Sequence, residues 1–411
     1  MNRSISTHAF VPVILGGDIG AYALGREVHE AYGIQPISVI QEPIGIIKHS
    51  RIFEHEQIAD LSLDEVIRAL DRIEKSHPNS KILLMTNSEA CIPVLSQALE
   101  LKPSIVSPTP DMSIIERTSD KFAFGELCRE YGLETPKTER ILLDGSAPID
   151  PTEIPFPVVA KPAYSPAYAH LLNAGFKKVY FIERQEDLDA LWQDLRRAGF
   201  TGTFLVQELI GGDDTHMDSI TLYIDSSGRT TMYGGAQVLL EDHAPSMLGN
   251  PVAMITRRHP DLWEKCSSML QSIGYRGFAN FDIKRDPKTG RELLFEVNPR
   301  IGRNSYYNCA AGVNPMRHCV EDLVNGRELE PEYADRSILY SLVPIALLKR
   351  YIRDADLLAE VNRLVAAKTV FDPQRYHADS SICRNLDILL TELNQFRKFR
   401  RYYPEPTETS F

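Results

Sequence analysis

A chain of 411 residues is longer than one ordinary hydrophobic core supports, so two or three domains are expected. Its apolar content of 43% and charged content of 25% are globular values, and its formal net charge of −11 argues against a general nucleic-acid binder. The six cysteines, Cys91, Cys128, Cys266, Cys309, Cys319 and Cys383, contain no CxxC pair, which fits reduced thiols in a cytoplasm rather than a disulfide framework or a zinc site. The start, MNRSISTHAFVPVILGGD, has too short an apolar run for a signal peptide. No run approaches the roughly 20 apolar residues of a membrane span.

Val11 to Leu15 reads as a short apolar strand. Gly16-Gly17-Asp18-Ile19-Gly20 follows, then a helical pattern through Ala31. The glycines permit a tight turn and expose amide N–H groups at a helix start. GGDIG is not GxGxxG, so a dinucleotide fingerprint is incomplete. Ile37 to Ile40 and Lys81 to Met85 are further strands, with helices over Leu63 to Lys75 and Ala90 to Glu100. This alternation predicts a parallel α/β layer, and in such sheets ligands bind beyond the carboxyl ends of the strands. Asp18, Asn87 and Glu89 occupy that position. Asp18 and Asn87 equally suit helix caps.

Ser107-Pro108-Thr109-Pro110 is a linker signal. A helix containing Asp120 to Phe124 and running to Tyr131 comes next. Pro148 to Pro157 then leads into Val158-Val159-Ala160-Lys161-Pro162, where a lysine closes an apolar strand and must snorkel or pair. Ala163 to Lys178 reads as a loop with Ser165 and Gly175. Val179 to Ile182 is a strand, Glu186 to Ala198 a helix, and Phe204 to Leu209 a strand. Ile220 to Ile224 and Thr230 to Tyr233 form a hairpin across Ser226-Ser227-Gly228, and Asp261 to Ile273 is an amphipathic helix.

The most informative stretch is GFANFDIKRDPKTGRELLFEVNPRIGRNS, from Gly277 to Ser305. Phe278 to Arg285 and Glu292 to Asn298 alternate about the turn Asp286 to Gly290. Folding about Thr289 sets Asp282 opposite Glu296, with Asn280, Lys284 and Asn298 on the same face. Opposed carboxylates repel, and a hard cation reverses the sign of that interaction. Asp282, Glu296 and the Asn298 amide oxygen are an oxygen-only set suited to Mg²⁺ shared with nucleotide phosphates. The alternative is a solvated face with Asp282 paired to Lys284 or Arg303.

Beyond it, Pro315 to Asn325 is helical, and residues 331 to 411 carry several helical patterns. They end in Phe396-Arg397-Lys398-Phe399-Arg400-Arg401-Tyr402-Tyr403. That basic aromatic cluster reads either as a weak contact with an anionic membrane surface or as a solvated or self-docked helix end.

Lys121, Lys161, Gln207-Glu208-Leu209, Asp282, Glu296, Asn298 and Arg300 stand in the order and spacing of an ATP-grasp enzyme. From about Val11 to Leu323 the chain resembles the carboxylate–amine ligases. VPVILGGDIGAYALGREVHEAYG and VQELIGGDDTHM tilt the resemblance towards bacterial D-aspartate ligases, which attach D-aspartate to the lysine side chain of a peptidoglycan precursor. The resemblance implies an ATP-grasp fold, α/β and α+β and multidomain, with an N-terminal parallel α/β domain. Its segments would be 1–110, a substrate-binding domain; 111–205, a small subdomain with its helical entry; 206–330, a central catalytic subdomain; and 331–411, a mostly helical extension.

It implies ATP and Mg²⁺ as cofactors, with an amino acid and an amine acceptor as substrates. Lys121 and Lys161 would contact the ATP phosphates, together with Ser165. Gln207, Glu208 and Leu209 would hold adenine and ribose. Asp282, Glu296 and Asn298 would hold Mg²⁺, while Arg300 would lie over the transferred phosphoryl group and the oxyanion. For the donor, Arg303 and Asn304 follow the hairpin, with Arg303 the candidate for a second carboxylate. Asp18 is the candidate for its ammonium or for the acceptor amine. Competing readings are a soluble amino-acid or dipeptide ligase of the same fold, an oxidoreductase built on VILGGDIG, and a non-catalytic nucleotide-binding regulator. The oligomeric state is open.

Overall fold

Phe10–Leu15 (β1) is apolar and buried along its whole length, as a central strand of a parallel layer must be. It lies between Ile37–Ile40 (β2) and Lys81–Met85 (β4), and Glu54–Gln57 (β3) closes the far edge, giving the all-parallel order β3-β2-β1-β4. The computed structural model describes residues 9–163, 168, 170–171, 174–177, 179–245 and 247–408. The chain divides into two units, one of Met1–Leu133, Gly212–Lys284 and Glu296–Phe411, the other of Glu134–Gly211 and Arg285–Phe295.

The helices of the parallel layer are set by their caps and by what they bury. Ile19–Tyr32 starts on Asp18, whose carboxylate accepts from the Ala21 N–H at 2.9 Å, and stops at Gly33 in the left-handed region with φ 67°. Leu63–Ser76 buries Val66, Ala69, Leu70 and Ile73, a helical spacing that covers one face of the sheet. The helix expected through Asp120 is instead two, Met112–Ser119 and Lys121–Glu130. Asp120 leaves the helical region, with ψ 114°, and its carboxylate accepts from the N–H groups of Phe122 and Ala123. A cap therefore wins over the continuing periodicity.

A larger mixed sheet follows, most of it in the first unit. Its strands are Met217–Ile224 (β9), Thr230–Asp242 (β10), Asn250–Thr256 (β11), Gly277–Arg285 (β12), Glu292–Asn298 (β13), Glu332–Ala334 (β14), Leu339–Ser341 (β15) and Val370–Phe371 (β16). The order is β13-β12-β9-β10-β11-β15-β16, with β14 also on β10. β10 runs for 13 residues, far past the expected Tyr233, and pairs β9 with its first half and β11 with its second. Three of these strands come from residues 331–411.

The last helix, Ile382–Tyr402, is fixed by its inner side. Arg384 is wholly buried, its Nε 3.0 Å from Asp379 Oδ2, and Tyr22 donates to the same carboxylate at 2.8 Å. Cys383, beside it, is exposed.

The second unit is an antiparallel sheet of Thr138–Leu142 (β5), Val158–Pro162 (β6), Tyr180–Ile182 (β7) and Thr203–Glu208 (β8), in the order β5-β8-β6-β7. The helix Gln185–Arg197 buries Leu188, Leu191, Trp192 and Leu195 into its core. The turn between β12 and β13 belongs to this unit. In it Asp286 accepts from Lys288 N and Thr289 Oγ1, and Gly290 takes φ 73°.

Candidate functional site

Three groups of polar residues stand where chemistry was expected, two in the first unit and one in the second. The first lies past the ends of β1, β2 and β4. Gly16, Gly17, Asp18, Gln41, Asn87 and Ser88 are among the residues lining an open cavity of about 530 Å³ there. Asp18 caps its helix and is also a ligand to two side chains. Asn87 Nδ2 donates to its Oδ1 at 3.0 Å, and Arg303 Nε pairs with its Oδ2 at 2.8 Å. Burial pushes the Asp18 carboxyl up, but the Arg303 charge and these hydrogen bonds outweigh it and hold the group below its ordinary value. Gly20 makes the cluster possible, since a Cβ there would fall 2.2 Å from Asn87 Nδ2 and 2.9 Å from Arg303 Cγ.

The second group sits on the faces of β12 and β13. Asn280 and Asn298 are buried, Asp282 is partly buried and Glu296 is exposed. Asn298 Nδ2 donates to Asp282 Oδ2 at 3.1 Å, leaving its amide oxygen turned to Arg300 at 3.4 Å. Burial and then the Glu296 charge push Asp282 up to about 7, with Arg300 opposing. The two alternative partners of Asp282 are engaged elsewhere: Arg303 holds Asp18, and Lys284 faces Glu241 and Asp214. Lys121 Nζ lies 3.2 Å from Glu296 Oε2. Arg300 reaches Glu89 at 2.9 Å, and its Nε is buried with no hydrogen-bond partner among the described residues.

This donor set fits Mg²⁺. Two carboxylates raise one another's energy, an amide oxygen stands beside them, and all three ligands are oxygen. Asn304 is a different case. It is buried, with its amide against Met254 Sδ. Gly302 near it gives its missing side-chain space to the Asn304 and Asn280 amide oxygens, at 2.6 and 2.7 Å from an ideal Cβ.

The third group lies in the second unit. Lys161 lies one residue before the end of β6 and, as a lysine in an apolar strand must, finds a partner: it donates to Gln207 Oε1 at 2.9 Å, and its Nζ lies 5.9 Å from the centre of the Phe295 ring. Gln207 passes the contact on to Thr138 Oγ1 at 2.9 Å. Glu208 accepts from Arg291 Nη1 and from the Lys137 N–H, each at 3.2 Å. Leu209 follows the end of β8. Ser165 lies outside the described residues. Thr138 and Arg291 were missed from sequence. β5 alternates too weakly to stand out, and Arg291 is masked by a turn.

No family model matches the chain. It is 32% identical to the D-aspartate ligase of Enterococcus faecium (strain Aus0004), over 98% of this chain and 99% of that one. The chain belongs to the D-aspartate ligase family. Among solved structures it is similar to an N5-carboxyaminoimidazole ribonucleotide synthetase in complex with ADP, with a TM-score of 0.57 and 15% identity over 89% of this chain and 88% of that one. It is also similar to an L-amino acid ligase from Bacillus licheniformis, with a TM-score of 0.53 and 14% identity over 78% and 75% of the two chains. The fold is the ATP-grasp fold, and the activity is ATP-dependent ligation of a carboxylate to an amine. No described helix is long and apolar enough to cross a membrane.

Proposed function

We propose that this ligase activates D-aspartate and joins it to the lysine side chain of a peptidoglycan precursor in the cytoplasm. The six free thiols suit that reducing compartment. A carboxylate does not accept an amine at neutral pH, because its oxygen is a poor leaving group. One oxygen of the donor carboxylate attacks the γ-phosphorus of ATP, the bond to the β-phosphate oxygen breaks, and ADP departs. The amine then attacks the acyl carbon of the acyl phosphate, phosphate leaves with the bonding pair, and the amine gives up a proton.

The observation that carries this reading is Arg300. Its Nε is a buried donor without an acceptor, beside the Asp282, Glu296 and Asn298 oxygens. An oxyanion supplies what that donor lacks. Asp282, Glu296 and Asn298 would hold Mg²⁺, which when bound neutralises phosphate oxygens. Lys121 and Lys161 would bring positive charge to the phosphates, and positioning with charge neutralisation is most of what phosphoryl transfer needs. Gln207, Glu208 and Leu209 would carry the nucleoside. For a donor with two carboxylates, Arg303 would take the second and Asp18 the ammonium.

The test is ADP release on mixing the protein with Mg-ATP and each D- and L-amino acid, with and without a lysine-containing muropeptide. D-aspartate is expected to give the largest signal, and the muropeptide to raise it. ADP release with other amino acids and no response to the muropeptide would favour a soluble amino-acid ligase.

A further inference from the structure

The last helix, Ile382–Tyr402, turns an unusual face outward. Ile382, Leu386, Leu389, Leu390 and Leu393 are all exposed, Ile382 by 90% and Leu390 by 55%. Their spacing keeps them on one side of the helix, a stripe about 17 Å long at 1.5 Å per residue. Arg397, Arg400 and Arg401, also exposed, continue the same side to the helix end. The helix has two carboxylates, and both are drawn off this face: Asp387 to His49 at 2.6 Å and Glu392 to Arg375 at 2.7 Å. Glu405 and Glu408 come later, in a tail that folds back as the Thr407 N–H reaches Tyr403 Oη at 2.9 Å. Beside Leu390, exposed Ile44 and the His49-paired Asp387 help to line an open notch of about 270 Å³.

We propose that this face docks on the surface of an anionic lipid bilayer, the helix lying in the plane of the interface. Leucines on one stretch and arginines on the next, with no acid between, are what an acyl boundary and a layer of anionic headgroups together complement. A second copy complements them poorly. Parallel pairing sets arginine against arginine, and antiparallel pairing over the whole face sets arginine beside Ile382 and Leu386, so only the shorter leucine stretch could meet its copy. The inner side, through Arg384, Ile388 and Phe399, already holds the helix to the protein. Docking therefore needs no refolding. The chain as a whole carries a net charge of −11, so attraction to anionic vesicles has to come from a local surface.

Full-length protein is to be sedimented with vesicles of phosphatidylcholine alone and of phosphatidylcholine with phosphatidylglycerol in equal parts, at low and high salt. Binding to the mixed vesicles is expected, weaker by about tenfold or more on phosphatidylcholine alone or at high salt. Leu390→Glu with Leu393→Glu, and separately Arg397→Glu with Arg401→Glu, should each reduce it by about tenfold or more. Thermal midpoint and ADP release should stay at wild-type levels, showing an intact fold. Equal recovery with both vesicle types, no recovery with either, or wild-type binding by the leucine variant overturns the proposal. So does a dimer in light scattering that Leu390→Glu dissociates, since that assigns the face to a second copy. The vesicle result stands whichever donor and acceptor the ligase uses.

Discussion

In the four-stranded parallel sheet the polar groups around the cavity sit past the strand ends. In the larger sheet they sit on the strands themselves. The difference is energetic as well as geometric. Asp18 is a helix cap, an ion-pair partner and an acceptor from Asn87 at once, so its charge is welcome in the fold. Asp282 is pushed up to about 7 by burial and by Glu296, so its charge is tolerated rather than welcome. The strand-end carboxylate thus adds to stability, whereas the strand-face carboxylates are kept at a cost to it.

The largest expected effect is on the strand faces. Glu296→Gln should lower turnover by more than about 100-fold, beyond what losing an outer partner of a metal site costs. The fold should survive with an unchanged or higher thermal midpoint, because a repelling charge has gone. Near-normal turnover in that variant removes Glu296 from the metal set. A smaller effect is expected at the strand ends. Arg303→Lys should raise the KM for the amino acid by about 10- to 100-fold, the worth of a charge-assisted arginine contact, and raise the KM for ATP far less. Equal changes in both constants, or none, take Arg303 out of the donor site.

The smallest effect sharpens the contrast most directly. Asp18→Ala should cost about 0.5–2 kcal/mol of stability through the lost cap. Its folded pKa lies below 3.8, so this carboxylate contributes stability above that value and loses it as pH falls through the lower folded value. Wild type and variant should therefore converge in acid denaturation profiles. A pH-independent gap between them would mean that the charge contributes nothing.

The central strands and the β12–β13 hairpin were legible because their patterns are local. β1 and β4 are apolar runs, and β12 and β13 alternate about a turn rich in Asp, Pro and Gly. β3 is EHEQ, an edge strand with no apolar period, and β14 to β16 span only two or three residues each, so none of them showed. Asp120 broke a helix that periodicity alone continued. The Arg303–Asp18 pair joins residues 285 positions apart, and no spacing rule reaches that far. The residue types of the candidate site are those that the sequence singled out, while their mutual contacts depend on how distant loops meet.

Sulfur chemistry follows from where the chain has put its thiols. Cys91, Cys128, Cys266 and Cys319 are buried and Cys309 is half-buried, and burial raises all five thiols, Cys128 to about 12. Cys383 stands exposed at the head of the last helix. An alkylating reagent should find that thiol first, because it is exposed, whereas burial shields the others and disfavours the thiolate that reacts. The unaltered protein therefore offers one addressable sulfur, where a fluorophore or spin label can be placed without removing a single native cysteine.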